Sequence, residues 1–422
     1  MASITLSFEV HQPFRLANFQ SNGFIEEEKL FEKYFNNGLN KWIFDRIADK
    51  CYLPTTRILL ELIDKFKDQG KKFKVSFALS GMFLESAEKF RPEVIDSFKA
   101  LVDTGFVEIL GETYYHSLAS LYESKEEFIE QVKMQSQSVK DFFGKKPKVF
   151  MNTEMLYNNL IAKIVEDLGF KGIFTEGAER ILGWRNPNYV YVRKYCFPND
   201  PRPEKRIRVL LRNYRLSDDI SYRFSAKWWE EWPLTADKFA AWVAATPGQV
   251  INLFMDFETF GEHQPAETGI FWFLRALPDF ILKYDNLEFL TPSEVIEKYT
   301  PVGEIDVFEF STVSWADMER DTSAWLGNSM QQMVFNEVKN MEKMVKRINN
   351  PTLLRIWRLL QQSDHYYYVC NKWWSDGDVH KYFSSFGTPE EAFANFMNIV
   401  SDFKARLQIE YLKQNLLQKK KK

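Results

Sequence analysis

The sequence predicts an α/β fold in which a barrel of parallel strands is followed by a helical domain. Three observations carry this reading. Short apolar runs of strand length alternate with segments of helical spacing up to about residue 300. Polar and acidic residues repeatedly follow the C-terminal ends of those runs, where a closed barrel gathers its loops. Beyond residue 300 only helical periodicity remains. The expected division is a catalytic barrel over 1–300 and a helical domain contributing to the substrate cleft over 301–422.

Taken in order, residues 4–10 form an apolar strand ending at His11-Gln12-Pro13. Residues 27–47 and 55–69 have helical spacing, the second with Thr55 as a candidate cap after Pro54 and a stop at Gly70. A strand at 74–79 precedes Ser80-Gly81; a helix over 92–101 and a strand at 106–110 follow. A helix over 125–143 ends at Gly144, and a strand at 148–152 has Glu154 just beyond it. After a helix at 160–168, residues 172–175 form a strand ending near Glu176. Residues 184–205 lack periodicity and read as a large loop with one hairpin at 189–192. The sixth and seventh strands fall at 207–211 and 251–257. Segments 329–348, 351–364 and 389–417 are helical, the last with one long apolar stripe.

Composition excludes several classes. The 422 residues carry a formal net charge of -3, so no broad electrostatic attraction draws nucleic acid or anionic lipid, and neither is an expected partner. No run approaches the roughly 20 apolar residues of a membrane span, and no secretory pattern opens the chain. Cys51, Cys196 and Cys370 are widely spaced and odd in number, which fits reduced thiols in a cytoplasmic protein. Oligomeric state is left open. Aromatic residues make up 16% of the chain, with 12 Trp and 38 Phe; this suits a core and equally a cleft that stacks flat ligand faces. No glycine-rich phosphate loop follows the first strand.

The segment FMDFETFGEH, residues 254–263, concentrates the chemistry. An apolar strand ending in Asp256 and Glu258 must pair, hydrogen-bond or protonate these carboxylates. Glu108 in GFVEILGE and Glu154 in MNTEM also sit at strand ends. Glycosidic cleavage needs one group to protonate the leaving oxygen and another to attack the anomeric carbon or activate water, and carboxylates from separate strands supply both. Salt bridging is the plainer reading for each acid, and the preferred one for Glu112 and Glu262. His11, His116, His263, His365 and His380 show no HxH, HExxH or Cys-His spacing. No metal or cofactor is therefore expected, with a zinc site assembled from separate strands as the alternative.

Five ordered segments together are specific. His11-Gln12-Pro13, residues 105–109 (GFVEI), 151–154 (MNTE), 256–263 (DFETFGEH) and 318–328 (MERDTSAWLGN) resemble the five conserved regions of family 57 of the glycoside hydrolases. The nearest likeness is to its α-amylase members, through HQPFR, SWADMERDTSAWLGN and SDHYYYVCNKWWSDGDVHKYF. The resemblance implies a distorted (β/α)7 barrel with a helical C-terminal region, acting on α-linked glucans with retention. It implies Glu154 as nucleophile and Asp256 as general acid and base. The third region departs from the common form, with Met151 where a Trp is usual and Asn152 where a Leu is usual.

On this basis the sequence points to a retaining endo-acting α-1,4-glucan hydrolase of starch, glycogen or maltodextrins. His11, Glu108, Glu258 and His263 are expected to contact sugar hydroxyls or orient groups that do. Trp228, Trp229, Trp315 and Trp325 are candidate stacking platforms, and Asp321 a candidate hydroxyl ligand. Asp364, His365 and Trp373, with Trp374 and Asp376, are candidates for one wall of the cleft. The rival is a 4-α-glucanotransferase using the same double displacement. Branching activity is disfavoured here because 422 residues leave little space for an added domain. Readings of other classes are a metal-dependent polysaccharide deacetylase and a non-catalytic carbohydrate-binding protein.

Overall fold

The structure, a computed structural model, describes residues 2–21, 23, 25–194, 197–198, 200–202, 205–372 and 384–420. Two compact units emerge. The first comprises Met1–Gln12, Trp42–Tyr114 and Ile129–Trp315; the second comprises Pro13–Lys41, Tyr115–Phe128 and Ala316–Lys422.

The first unit is built on strands β1 (Ala2–Val10), β2 (Val75–Leu79), β3 (Val107–Leu110), β4 (Val149–Phe150), β5 (Gly172–Glu176), β6 (Val190–Arg193), β7 (Arg208–Arg212), β8 (Val250–Asp256), β9 (Leu287–Phe289) and β10 (Glu304–Ile305). Parallel pairing runs β3-β2-β1-β8-β7-β5-β4. Gly111 closes the ring: its N–H donates to the Val149 carbonyl at 2.8 Å and its own carbonyl accepts from the Met151 N–H at 2.9 Å. A Cβ at Gly111 would lie 2.4 Å from the Phe170 ring, so only glycine lets β3 approach β4. The closed strands are the seven predicted from sequence. β6 pairs antiparallel with β7, in place of a hairpin of its own, and β10 continues from β6. β9 pairs with the first three residues of β1. The ring is uneven: β7 and β8 share one registered pair, Arg212 with Asn252, where β1 and β8 share seven.

Alternation divides the strand faces. Ile4, Leu6, Phe8 and Val10 of β1 join Ile251, Leu253 and Met255 of β8 in a large core shared with helices Leu53–Asp68, Gly81–Phe90, Pro92–Asp103, Ala236–Ala245 and Ile270–Ile281. The other strand faces supply a smaller cluster that includes Ala78, Leu110, Met151, Phe174, Leu210 and Phe254, joined by Val295 and Ile296 of helix Pro292–Lys298. On that face β1 is polar instead, with Thr5 bonded to Asn252 at 2.8 Å and Ser7 to Ser76 at 2.7 Å. Buried hydroxyls matched in this way offset their desolvation.

Two local differences from the sequence reading have identifiable causes. Residues 27–47 are two α-helices, Leu30–Tyr34 and Asn37–Ile47, because Phe35 between them is extended. The next helix does not start afresh at Pro54. Proline has no N–H for the Lys50 carbonyl four residues back, so the α-helical ladder cannot cross this point. A π-helical turn, Ala48–Tyr52, carries the chain through, with Leu53 N–H bonding to the Ala48 carbonyl five residues earlier.

The second unit contains helices Ser329–Asn340, Glu342–Ile348, Pro351–Leu359, Ser363–Tyr367 and Pro389–Lys420. Its core encloses Glu127, whose carboxylate pairs with Arg358 at 2.8 Å and Lys346 at 3.2 Å. Among the described residues no helix is long and apolar enough to cross a membrane.

Candidate active site

β8 delivers Asp256 at its C-terminal end, and the chain then folds into a tight turn over Phe257–Thr259. The Glu258 carbonyl accepts the N–H groups of Glu262 at 3.2 Å and His263 at 2.9 Å. Gly261 has φ 108°, and a Cβ there would stand 2.0 Å from the Lys50 carbonyl oxygen. The π-helical turn fastens onto this segment. Cys51 donates its Sγ–H to the Phe257 carbonyl at 3.2 Å, and Thr55 donates its hydroxyl to the Phe260 carbonyl at 3.3 Å. Arg46, one turn earlier, donates to Glu262 at 2.5 Å. Glu262 is thus the salt-bridged residue that the plainer sequence reading describes.

Glu258 is 6% exposed, and its Oε1 accepts from the Tyr52 hydroxyl at 2.5 Å and from Gln12 Nε2 at 3.4 Å. Burial, with the charge of Asp256 adding to it, pushes its carboxyl up to about 8 against the bonds from Tyr52 and Gln12. Burial also lowers His263 to about 4, so its imidazole is neutral at neutral pH. His11 is fixed by a 2.7 Å contact between Nδ1 and the hydroxyl of Ser80, the residue that caps helix Gly81–Phe90.

Glu154 follows β4 in a short turn, Thr153–Met155. Its backbone is left-handed, with φ 56° and ψ 26°, and Met155 continues at φ 50°. Such angles cost a non-glycine residue on the order of 1 kcal/mol and persist where the surroundings enforce them. Here Trp315 does so twice: its Nε1–H donates to Glu154 Oε2 at 2.9 Å, and its backbone N–H donates to the Glu154 carbonyl at 3.3 Å. The Trp315 ring meets the edge of Phe254 at 6.1 Å, two residues before Asp256.

Beneath this contact lies Arg212, at the end of β7. Its Nε donates to the Phe254 carbonyl at 2.7 Å, one Nη to Glu176 at 3.0 Å and the other to Asp218 at 2.6 Å. Its guanidinium stands 5.7 Å from the Trp315 ring centroid. Glu9, registered with Asp256 across β1 and β8, and Glu112 are both buried, with carboxylate oxygens within 4.8 Å of one another. Buried carboxylates so close share a proton, bind a cation or accept hydroxyl donors.

Other sequence candidates are placed differently. Glu108 is turned toward helix Pro292–Lys298, accepting from Ser293 N–H at 2.8 Å and from the Ser293 hydroxyl. Trp228 is 74% exposed; Trp229 instead packs against Trp242 at 6.1 Å. In the second unit Trp325 is 1% exposed and packs on Tyr367, so its ring belongs to the core there. Asp321 accepts from Ser323 N–H at 2.8 Å. Asp364 lies half-buried in the first turn of helix Ser363–Tyr367. His365 is buried, with Nε2 at 3.1 Å from the Leu359 carbonyl. Trp373, Trp374, Asp376 and His380 lie outside the described residues.

Comparison with known proteins decides the family. The model of glycosyl hydrolase family 57 matches residues 5–308. The chain belongs to glycosyl hydrolase family 57. Within that family, a Methanocaldococcus jannaschii protein named provisionally as an alpha-amylase is 51% identical over 409 residues, covering 95% of this chain and 84% of its own length. The chain spans only 19–41% of other curated relatives named as alpha-amylases or 4-alpha-glucanotransferase. A branching enzyme structure from Thermococcus kodakaraensis aligns with TM-score 0.65 at 16% identity, over 98% of this chain and 91% of that one. A 4-alpha-glucanotransferase structure from Thermococcus litoralis aligns with TM-score 0.60 at 18% identity, over 86% and 56%. These likenesses support the (β/α)7 barrel with its C-terminal helical region.

Sequence reasoning missed Tyr52, Arg212 and Glu9 in this family 57 barrel. Glu9 carried a signal, as a carboxylate in an apolar strand two residues before His11. Arg212 likewise ends an apolar strand. Tyr52 carried none, because its place depends on an irregular turn in a helix outside the barrel.

Proposed function

We propose that this family 57 protein is a retaining endo-acting α-1,4-glucan hydrolase of the α-amylase type, with maltodextrins, starch or glycogen as substrate. The observation that carries the reading is the placement of two carboxylates after different barrel strands, Glu154 after β4 and Asp256 on β8, linked by Trp315 and Phe254. The 51% identity to the Methanocaldococcus jannaschii protein supports the amylase direction. The buried Cys51 thiol, outside any disulfide, fits action in the reducing cytoplasm.

In this mechanism ionised Glu154 attacks the anomeric carbon as the glycosidic C–O bond breaks, and Asp256 gives its proton to the leaving oxygen. Trp315 N–H orients the Glu154 carboxylate. Water then attacks the glucosyl-enzyme from the vacated side, Asp256 takes its proton, and the Glu154 ester bond breaks to release an α-configured sugar. His11, neutral His263 and Glu258 offer hydrogen bonds to sugar hydroxyls or orient groups that do, and exposed Trp228 is a stacking platform. Asp321, Asp364 and Trp373 keep a substrate-binding role in this proposal.

Transfer to a sugar hydroxyl in place of water would make the protein a 4-α-glucanotransferase, and the Thermococcus litoralis likeness keeps that reading in view. Chain length does not discriminate against branching activity, since the chain spans 91% of a branching enzyme. Maltoheptaose incubation with product chromatography tests the assignment: shorter maltodextrins are expected, and longer glucans as early major products would count against hydrolysis. Glu154→Gln and Asp256→Asn are each expected to abolish turnover; full activity in both would rule out this pair.

A further inference from the structure

Helix Ile270–Ile281 buries Ile270, Phe273, Leu274 and Leu277 in the barrel core, and that spacing turns Trp272 and Arg275 outward on one face. The Trp272 ring is 78% exposed. Helix Leu53–Asp68 is arranged alike, with Leu59, Leu62 and Ile63 buried and Arg57 and Glu61 on the solvent side. Between the two helices lies a groove of about 400 Å³, lined by Pro54, Arg57, Ile58, Phe271, Trp272 and Arg275. We propose that this groove is a second glucan-binding site, in which a neutral α-glucan chain stacks a sugar ring on Trp272 and accepts hydrogen bonds from Arg57 and Arg275. The inference rests on the reading of the protein as glucan-active, and the groove contains neither Glu154 nor Asp256.

The chemistry of the lining selects the ligand. A pyranose ring presents C–H groups on its faces and hydroxyls around its rim, so it needs an apolar plate with hydrogen-bond donors beside it. Trp272 is the plate, and two guanidinium groups are the donors. A single exposed indole is ordinary on a protein surface; an indole in the wall of a concavity, flanked by convergent donors, is the lining of a ligand cleft. Charge argues against an anion. Arg275 donates to Glu61 at 2.5 Å, and Glu267, in the turn Ala266–Thr268, adjoins Ala266 of the groove wall. Two carboxylates thus match the two guanidinium groups, which favours an uncharged polyol over a phosphate or sulfate.

The groove is joined to the turn that follows Asp256. Phe271 closes on Gly261, where a Cβ would come within 3.0 Å of its ring, and Pro54 precedes Thr55, whose hydroxyl bonds the Phe260 carbonyl. A long glucan held in the groove therefore stays tethered beside that turn, and the effective concentration of its other segments at the proposed catalytic pair rises. An oligosaccharide too short to span both sites gains nothing from the groove.

The test separates long from short glucans. Trp272→Ala removes the plate and, at so exposed a position, leaves the core intact. In native gels containing glycogen its dissociation constant is expected to rise about fivefold or more, and its kcat/KM on glycogen to fall by a similar factor. On a chloronitrophenyl α-maltotrioside its kcat/KM is expected to stay within about twofold of the parent. Unchanged glycogen binding, or equal losses on both substrates, would overturn the proposal. If Trp272→Ala does not fold, Arg57→Ala is the second variant, with a roughly threefold loss expected on glycogen alone; no loss would again overturn it. Retardation by dextran sulfate that Arg57→Ala abolishes, with glycogen binding unchanged, would mark an anion site and reject the glucan assignment. The two levels fail differently. If the parent cleaves the maltotrioside and Trp272→Ala binds glycogen as the parent does, the groove alone is misassigned; if the parent neither binds glycogen nor cleaves the maltotrioside, the glucan reading falls and the groove with it.

Discussion

The guanidinium of Arg212 stands 5.7 Å from the centroid of the Trp315 ring, and the same Trp315 donates its Nε1–H to Glu154. Arg212 also holds the carbonyl of Phe254, two residues from Asp256. One buried cation thus underlies both carboxylates of the proposed pair, and it is neutralised from the far side by Glu176 and Asp218.

Arg212→Met should therefore cost both stability and rate. It leaves Glu176 fully buried without its cation, a loss of about 3–5 kcal/mol for a broken buried pair. Thermal melting should show a drop of several degrees. Glu176→Gln combined with Arg212→Met should recover part of the stability but not the rate, because Trp315 and the Phe254 carbonyl still lack their partner.

Trp315→Phe retains an aromatic ring against Phe254 and removes the donor to Glu154. A hydrogen bond to a charged group contributes about 1.5–3 kcal/mol, so kcat/KM on maltodextrins should fall roughly 10–100-fold. Circular dichroism should be unchanged, with a modest shift in melting temperature.

Gly261→Ala forces a Cβ to within 2.0 Å of the Lys50 carbonyl at φ 108°. The turn and the π-helical segment must separate, with an expected loss of about 2 kcal/mol or more. Denaturant titration reads that loss, and a variant as stable as the parent would show that these segments do not need their close approach.

Glu258 makes stability depend on pH. Its folded carboxyl sits at about 8 against an ordinary value of 4.5, so the folded state binds the extra proton between these limits. Stability therefore falls as pH rises from 4.5 toward 8, and the full penalty stands above that. Glu258→Gln removes the titration. Its melting temperature relative to the parent should rise between pH 5 and pH 9, by an amount equivalent to a few kcal/mol. A constant difference across that range would contradict the buried titration.

The barrel was legible because its seven strands are written as apolar runs, and burial on both faces demands such runs wherever the sheet closes. Its antiparallel extension was less so: Val190–Arg193 pairs with Arg208–Arg212 across a loop without periodicity. Asp256 and Glu154 stood out because carboxylates are costly at the ends of apolar strands. The polar side of β1 was hidden, since Ser3, Thr5 and Ser7 read as ordinary strand residues until their cross-strand partners are known. Trp325 and His365 show the converse: residue type suggested ligand contact, while their neighbours in the second unit enclose them. Arg212 could not be assigned from spacing, because its partners come from four separate segments.

The π-helical turn has a further consequence for how this chain tolerates change. One residue beyond the α-helical count rotates everything after it by about 100° relative to what precedes it. Arg46 and Tyr52 lie on opposite sides of that extra residue, and both reach the turn after β8. Deleting a single residue from 48–50 would remove that added rotation while Pro54 stayed in place, and only one of the two side chains could then meet its carboxylate. The residue count of this helix, more than its composition, is what a shortened relative would have to preserve.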